Sequence, residues 1–380
     1  MGASWAADRA SSASWPVAVA APIAGIAIVI VVALALIGGI RSCAVSQPDQ
    51  AESTATESSE QESQIVSAYE SSFQQIDALA DPGNTVQAAS LGSDVSPEGV
   101  SMSSAGATQV QSALSAITAG GNSVGFAFFD LETGKGYTYN LDQRVYGASS
   151  FKAPVLIYGC QQAIDTGRVS IADVASDAER AIVSSDNDSY YRMRECFENS
   201  ATASLGSWLA SLGVSDSLAN DTRFPHCSAR ESLKLWMNAY LYLSSADSNQ
   251  ETTAWVESLL SETEVSMIRN GLDPVSNPIN SERVHSVSQE LQGAVLGKLK
   301  TVEVGTAKNV PRSETAPTVY DKAGWIAGTD DDGVCDAGII RENGKSYLLT
   351  IMTNQADSVD SRSKVSALAS ALWGQRSTLA

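Results

Sequence analysis

Residues 17–40 run for 24 positions without a charged side chain. At about 1.5 Å per residue, a helix of that length crosses a bilayer. A cleaved leader has a shorter apolar core of roughly 7–15 residues, so the run reads as a retained anchor. Lipid attachment at Cys43 fits poorly, because Arg41 stands two places before it. The positive-inside count is a draw, with Arg9 before the run and Arg41 directly after it. From residue 44 to residue 106 there is no Lys or Arg, and ten residues are acidic. Such a segment buries too little apolar surface to offset chain entropy, so it reads as a flexible stalk. Within it, Ile65, Tyr69, Phe73, Ile76 and Ala80 recur at helical spacing and suggest a short helix that packs on the folded body or on a partner. The expected layout is a tail (1–16), a transmembrane anchor (17–40), an acidic stalk (41–105) and a folded domain (106–380).

Inside that domain, residues 110–117 have helical periodicity and stop at Gly120 and Gly121. Residues 124–130 and 136–139 read as a hairpin turning through 132–135. Residues 318–326, 334–340 and 347–352 read as three further strands, the last two joined by Asn343-Gly344, a strong hairpin signal. A final helix runs through Val365, Leu368 and Leu372. The stretch 169–310 reads as mostly helical. Two early strands, three late ones and helices between predict an α/β (α+β) fold, a five-stranded antiparallel sheet flanked by N- and C-terminal helices. The helical middle forms an inserted lobe, and the cleft between the lobes is where a site belongs.

Three short motifs carry chemistry. Ser149 and Lys152 are three apart where a strand hands over to a helix, which places both side chains on one face. A serine hydroxyl needs a base, and a lysine serves only if burial or a second cation disfavours its charge. Ser185-Asp186-Asn187 follows an apolar turn of helix and reads locally as an N-cap or turn. Lys322-Ala323-Gly324 lies on a strand, and a strand glycine marks a close backbone approach, read here as a ligand's.

In this order, on helix, lobe loop and strand, the three motifs resemble those of the active-serine penicillin-recognising enzymes, the class A β-lactamases and D-alanyl-D-alanine peptidases. The resemblance covers 106–380 and implies an acyl-serine hydrolase. It implies Ser149 as nucleophile, Lys152 as proton acceptor and Ser185 as relay to the leaving nitrogen. It further implies Asn187 and Lys322 as substrate contacts with Gly324 beside them, and backbone N–H groups of Ser149 and Trp325 as the oxyanion hole. The implied substrate is a β-lactam or a cell-wall stem peptide ending in D-Ala-D-Ala. No cofactor is implied. The catalytic part is then placed outside the cell membrane on its single-pass anchor.

Three departures qualify this. Ala323 stands where the family has Thr or Ser, so a hydroxyl donor to the substrate carboxylate is missing; such a bond contributes about 1.5–3 kcal/mol. The stretch 212–230 lacks the family's Glu-x-x-Leu-Asn pattern for activating the deacylating water. The candidates are Asp216, Asp221 and, just after the stretch, Glu231, which with Ser228 reads as a capping box. Deacylation is therefore expected to be slow. The gap from Ser149 to Ser185 is short, and 277–312, with a helix expected over 284–296, reads as an insertion. A non-catalytic envelope protein retaining the fold is the alternative. The only histidines, His226 and His285, sit in no catalytic or zinc context. A net charge of −19 argues against nucleic acid. Cys160, Cys196, Cys227 and Cys335 allow three disulfide pairings, Cys196 with Cys227 or Cys160 with Cys335 being guesses, or they stay buried thiols.

Overall fold

A computed structural model describes residues 71–92, 95–220, 224–274, 316–328 and 331–380. The expected anchor, residues 41–70 of the expected stalk, Asp221, His285 and the helix expected over 284–296 lie outside the described residues. Among the described residues, no helix is long and apolar enough to cross a membrane.

Helix α1 (Ser104–Thr118) starts where the Ser103 side chain accepts the Gly106 N–H, and it buries Val110, Leu114 and Ile117 on one stripe. Strands β2 (Val124–Asp130) and β3 (Lys135–Tyr139) form the expected hairpin. All seven residues of β2 are buried, because both faces are covered. Its period-two alternation sends Ala127 and Phe129 to one core and Phe126 and Phe128 to the other. Later come β6 (Thr318–Ile326), β7 (Gly333–Glu342), β8 (Lys345–Thr353) and helix α9 (Val359–Trp373). Asn343 and Gly344, at φ +52° and +79°, give the β7–β8 turn the left-handed pair that a two-residue hairpin favours.

The sheet has six strands where five are expected from the sequence. The sixth is β1 (Gln87–Ser90), which pairs antiparallel with β3, and the order is β1-β3-β2-β8-β7-β6. Gln-Ala-Ala-Ser has no apolar alternation, so only the backbone ladder marks it as a strand. A helix over 71–78 precedes it and buries Phe73 and Ile76, while Leu79 rather than Ala80 completes the apolar face. Arg230 donates to the carbonyls of Ile76 (2.5 Å) and Leu79 (2.8 Å), and the buried Lys234 pairs with Asp77 at 2.5 Å. Part of the stretch expected to be stalk is therefore built into the folded body.

Two cores flank the sheet. Helices α1 and α9 cover one face together with the short α8 (Met267–Leu272). The other face meets the helical lobe: α2 (Lys152–Gly159), α3 (Ile171–Ile182), α4 (Asn187–Ser200), α5 (Leu205–Ser211), α6 (Ala229–Ser244) and α7 (Gln250–Ser261). A separate ribbon joins β4 (Val145–Tyr146) to β5 (His226–Cys227), tying the strand before Ser149 to the lobe.

Candidate active site

Ser149 lies half-buried in a 3₁₀ turn, Ala148–Phe151, that leads directly into α2. Ala148 has φ +46°, a left-handed conformation costing a non-glycine residue about 1–2 kcal/mol. Its surroundings over-determine it. Gly147 N–H donates to Pro225 O (3.0 Å), and both the backbone N–H and the hydroxyl of Ser150 donate to Gly147 O, at 3.1 and 2.6 Å. Strand β6 presses on the same turn. A Cβ at Gly324 would lie 2.5 Å from Gly147 O and 2.7 Å from Ser149 N. The sequence reading assigns this close approach to a ligand; the structure assigns it to the backbone of the Ser149 turn itself.

Lys152 is fully buried one helical turn after Ser149. Its Nζ donates to Ser185 O (2.5 Å), Asn187 Oδ1 (2.8 Å) and Asp186 O (3.2 Å), with Ser185 Oγ at 3.4 Å. Burial first, and the Lys322 charge second, pull its pKa down to about 6, with Asp186 opposing. An ammonium only donates, so in its charged form Lys152 collects oxygens and has nothing to accept from Ser149. Ser149 Oγ makes no hydrogen bond with any described residue.

Ser185 lies three residues past the end of α3 in a left-handed conformation, φ +59°, with the Asp186 N–H bonded to Arg180 O at 2.9 Å. Asp186 is the N-cap of α4, its carboxylate accepting the Ser189 N–H at 2.7 Å. Burial pushes that carboxyl up, but the Ser189 hydrogen bonds and the Lys152 charge hold it below its ordinary range. Ser-Asp-Asn is thus the N-cap that the sequence suggests, and the cap aims Ser185 and Asn187 at the Lys152 amine. Lys322, 1% exposed, donates to Ser185 Oγ (3.0 Å) and Ala323 O (2.8 Å). Burial lowers its pKa to about 8 against the opposing charges of Asp336, Asp321 and Glu264. The Ser185 hydroxyl therefore bridges two buried amines. The structure brings Ser149, Lys152, Ser185, Asn187, Lys322 and Gly324 together where the Ser149 turn, the start of α4 and strand β6 meet. Trp325 follows on the same strand, its ring 5.4 Å from Lys322 Nζ and 4.7 Å from the Arg362 guanidinium. Ala323 is fully buried, opposite Asp336 in the β6–β7 register.

Sequence reasoning misses two residues of this site. The rings of Phe224 and Tyr190 stand 5.4 and 5.6 Å from Lys152 Nζ and stack on each other at 5.1 Å. Tyr190 had a signal, lying three residues after Asn187 on α4. Phe224 had only its place before Pro225, which forces an extended backbone there.

The remaining candidates fall elsewhere. Glu231 Oε2 accepts the Ser228 N–H (2.9 Å) while Ser228 Oγ accepts the Glu231 N–H (3.2 Å), the capping box that starts α6, and Arg144 pairs with it at 3.1 Å. Asp216 is exposed at the start of a 3₁₀ turn. His226 is exposed and 3.1 Å from Asp331. Among the described residues, no cluster of His, Cys, Asp or Glu has metal-binding geometry. All four described cysteines are free thiols, so neither guessed disulfide is formed.

Comparison with known proteins gives one family, described as the β-lactamase enzyme family, matching residues 107–375. The sequence matches no curated protein. Among solved structures, the chain is similar to a mutant of PBP-A in an acyl-enzyme complex with penicillin G, at TM-score 0.48 and 15% identity over 71% of this chain and 97% of that one. It is also similar to a β-lactamase from Sphaerobacter thermophilus, at TM-score 0.48 and 16% identity over 71% and 97%. A β-lactamase from Chitinophaga pinensis aligns at TM-score 0.46 and 14% identity over 71% and 98%.

Proposed function

The chain belongs to the β-lactamase enzyme family, and we propose that it is a serine hydrolase whose Ser149 is acylated by an amide next to a carboxylate. The observation that carries this is the pair of buried amines, Lys152 and Lys322, joined through the Ser185 hydroxyl, with Lys152 one helical turn after Ser149. With a pKa of about 6, Lys152 is mostly neutral at neutral pH and can accept the Ser149 proton as Oγ attacks the carbonyl carbon. The Ser149 and Trp325 N–H groups would stabilise the oxyanion. The C–N bond then breaks, and the leaving nitrogen takes a proton from Ser185, which Lys152 replaces. Lys322, still cationic, holds the substrate carboxylate, with Asn187 donating its free amide N–H to the acyl side chain. A β-lactam and a stem peptide ending in D-Ala-D-Ala both present this amide–carboxylate pair.

Slow deacylation is part of this reading: the Asp186 carboxylate accepts the Ser189 N–H as the cap of α4, and the Phe224 and Tyr190 rings stand over Lys152. The same reading tethers the domain by 17–40 outside the membrane, where such substrates occur.

The test is the full-length chain with a fluorescent penicillin, followed by intact mass for both attachment and release. One stable adduct per chain that is lost in Ser149→Ala supports the proposal. A wild-type protein that takes no label at any concentration sinks it, and labelling that survives Ser149→Ala moves the nucleophile. The missing hydroxyl at Ala323 favours a second reading, a non-catalytic peptide binder. Ligand binding unchanged in Ser149→Ala/Lys152→Ala, without acylation of the wild type, would select it.

A further inference from the structure

We propose that Cys227 and Cys335 are a disulfide-forming pair that staples β5 to β7 across the peptide just before the nucleophile turn. Both sulfurs rest on the Tyr146–Gly147 link. Cys335 Sγ lies 3.5 Å from Tyr146 O, and Cys227 Sγ lies 3.4 Å from where a Gly147 Cβ would be. Their strands converge there as well. Cys227 is opposite Val145 in the β4–β5 ribbon, and Cys335 is opposite Gly324 in the β6–β7 ladder. With no side chain at Gly147, nothing of that residue stands beside the Cys227 sulfur, and the Cys335 thiol lies near enough for its charge to act on Cys227. No second cysteine is among the charges acting on the other two described cysteines: those are Asp165 for Cys160, and Asp173 and Asp177 for Cys196.

The chemistry needs an external disulfide such as oxidised glutathione. The Cys227 thiolate attacks one of its sulfurs and expels one glutathione thiolate. Cys335 then attacks the mixed disulfide and expels the second, and the two protein protons end on the two released thiols. Two protein thiols are oxidised and one disulfide is reduced. Both cysteines are buried, and burial pushes both thiols well up, so the reaction belongs to folding or local opening rather than to the closed native state. The bond would pin Gly147 next to Ala148, the residue whose left-handed backbone sets the Ser149 turn.

The proposal is independent of the hydrolase reading, because its readouts are covalent. The full-length chain, with five cysteines, is incubated with oxidised glutathione in sub-denaturing urea, alkylated under denaturing conditions and mapped by mass. The expected result is three alkylated cysteines, one cross-linked peptide pair holding Cys227 and Cys335, and a urea midpoint that falls when the bond is reduced. Cys196→Ser should leave the cross-link intact. Five alkylated cysteines, glutathione adducts without a cross-link, or a cross-link between any other pair overturns it.

Discussion

Replacing Lys322 with methionine separates the two causes that depress Lys152. On the proposed mechanism, wild-type acylation requires Lys152 neutral and Lys322 charged. The second-order acylation rate should therefore rise with pH through about 6 and fall through about 8. Both amines reach the Ser185 hydroxyl, at 3.4 and 3.0 Å, so they stand within about 6 Å of each other. At that separation and an effective dielectric constant of about 20, two unit charges repel by roughly 3 kcal/mol, about two pH units. Lys322→Met removes this repulsion but keeps the apolar stem, so the acid limb should move up to roughly 7–8 while burial still holds it below the free value. The alkaline limb should vanish, and the plateau should drop because the substrate carboxylate loses its cation, worth about 1.5–3 kcal/mol. The assay is stopped-flow acylation by a fluorescent penicillin from about pH 5 to 10, at constant ionic strength. An acid limb that stays at its wild-type position would show that the Lys322 charge does not act on Lys152. One that jumps to the free-lysine range would show that burial is not the larger cause.

Phe224→Ala should admit water to Lys152, raising the acid limb by more than about one pH unit and slowing acylation at neutral pH; an unmoved pH profile would remove the aromatic wall from the mechanism. Gly324→Ala forces the strand and the Ser149 turn apart, and acylation should fall about 100-fold, with circular dichroism confirming the fold. Ile76→Ala should cost about 2–5 kcal/mol in urea unfolding, because Ile76 is fully buried; a cost near zero would mean that 71–79 is not part of the cooperative unit. Lys152→Met should abolish acylation yet stabilise the protein by about 1–2 kcal/mol near pH 7. The sign follows from linkage. The folded pKa, about 6, lies below the unfolded value, so the unfolded chain binds more protons between them and wild-type stability rises with pH across that window. The gain in Lys152→Met should accordingly shrink toward pH 10.

The late hairpins, the α6 capping box and the handover from strand to helix at Ser149 were all legible locally. Each is set by short-range rules: alternation in β2, positive φ at Asn343-Gly344, a reciprocal Ser228–Glu231 bond. Strand β1 was not, because Gln-Ala-Ala-Ser has no pattern of its own and becomes a strand only through the edge that β3 offers. Gly324 was half legible. Its sequence announces a close approach, but only packing tells that the approaching atoms are Gly147 O and Ser149 N.

By itself the sequence determined which residues are proposed for the chemistry, since Ser149, Lys152, Ser185, Asn187 and Lys322 stand out by type, order and spacing. Tertiary structure decided what state they are in. The lowered pKa of Lys152 comes from burial, with Phe224 and Tyr190 over it, and from Lys322, residues 38 to 170 positions away. Desolvation and charge repulsion act through space, and no local pattern along the chain encodes them.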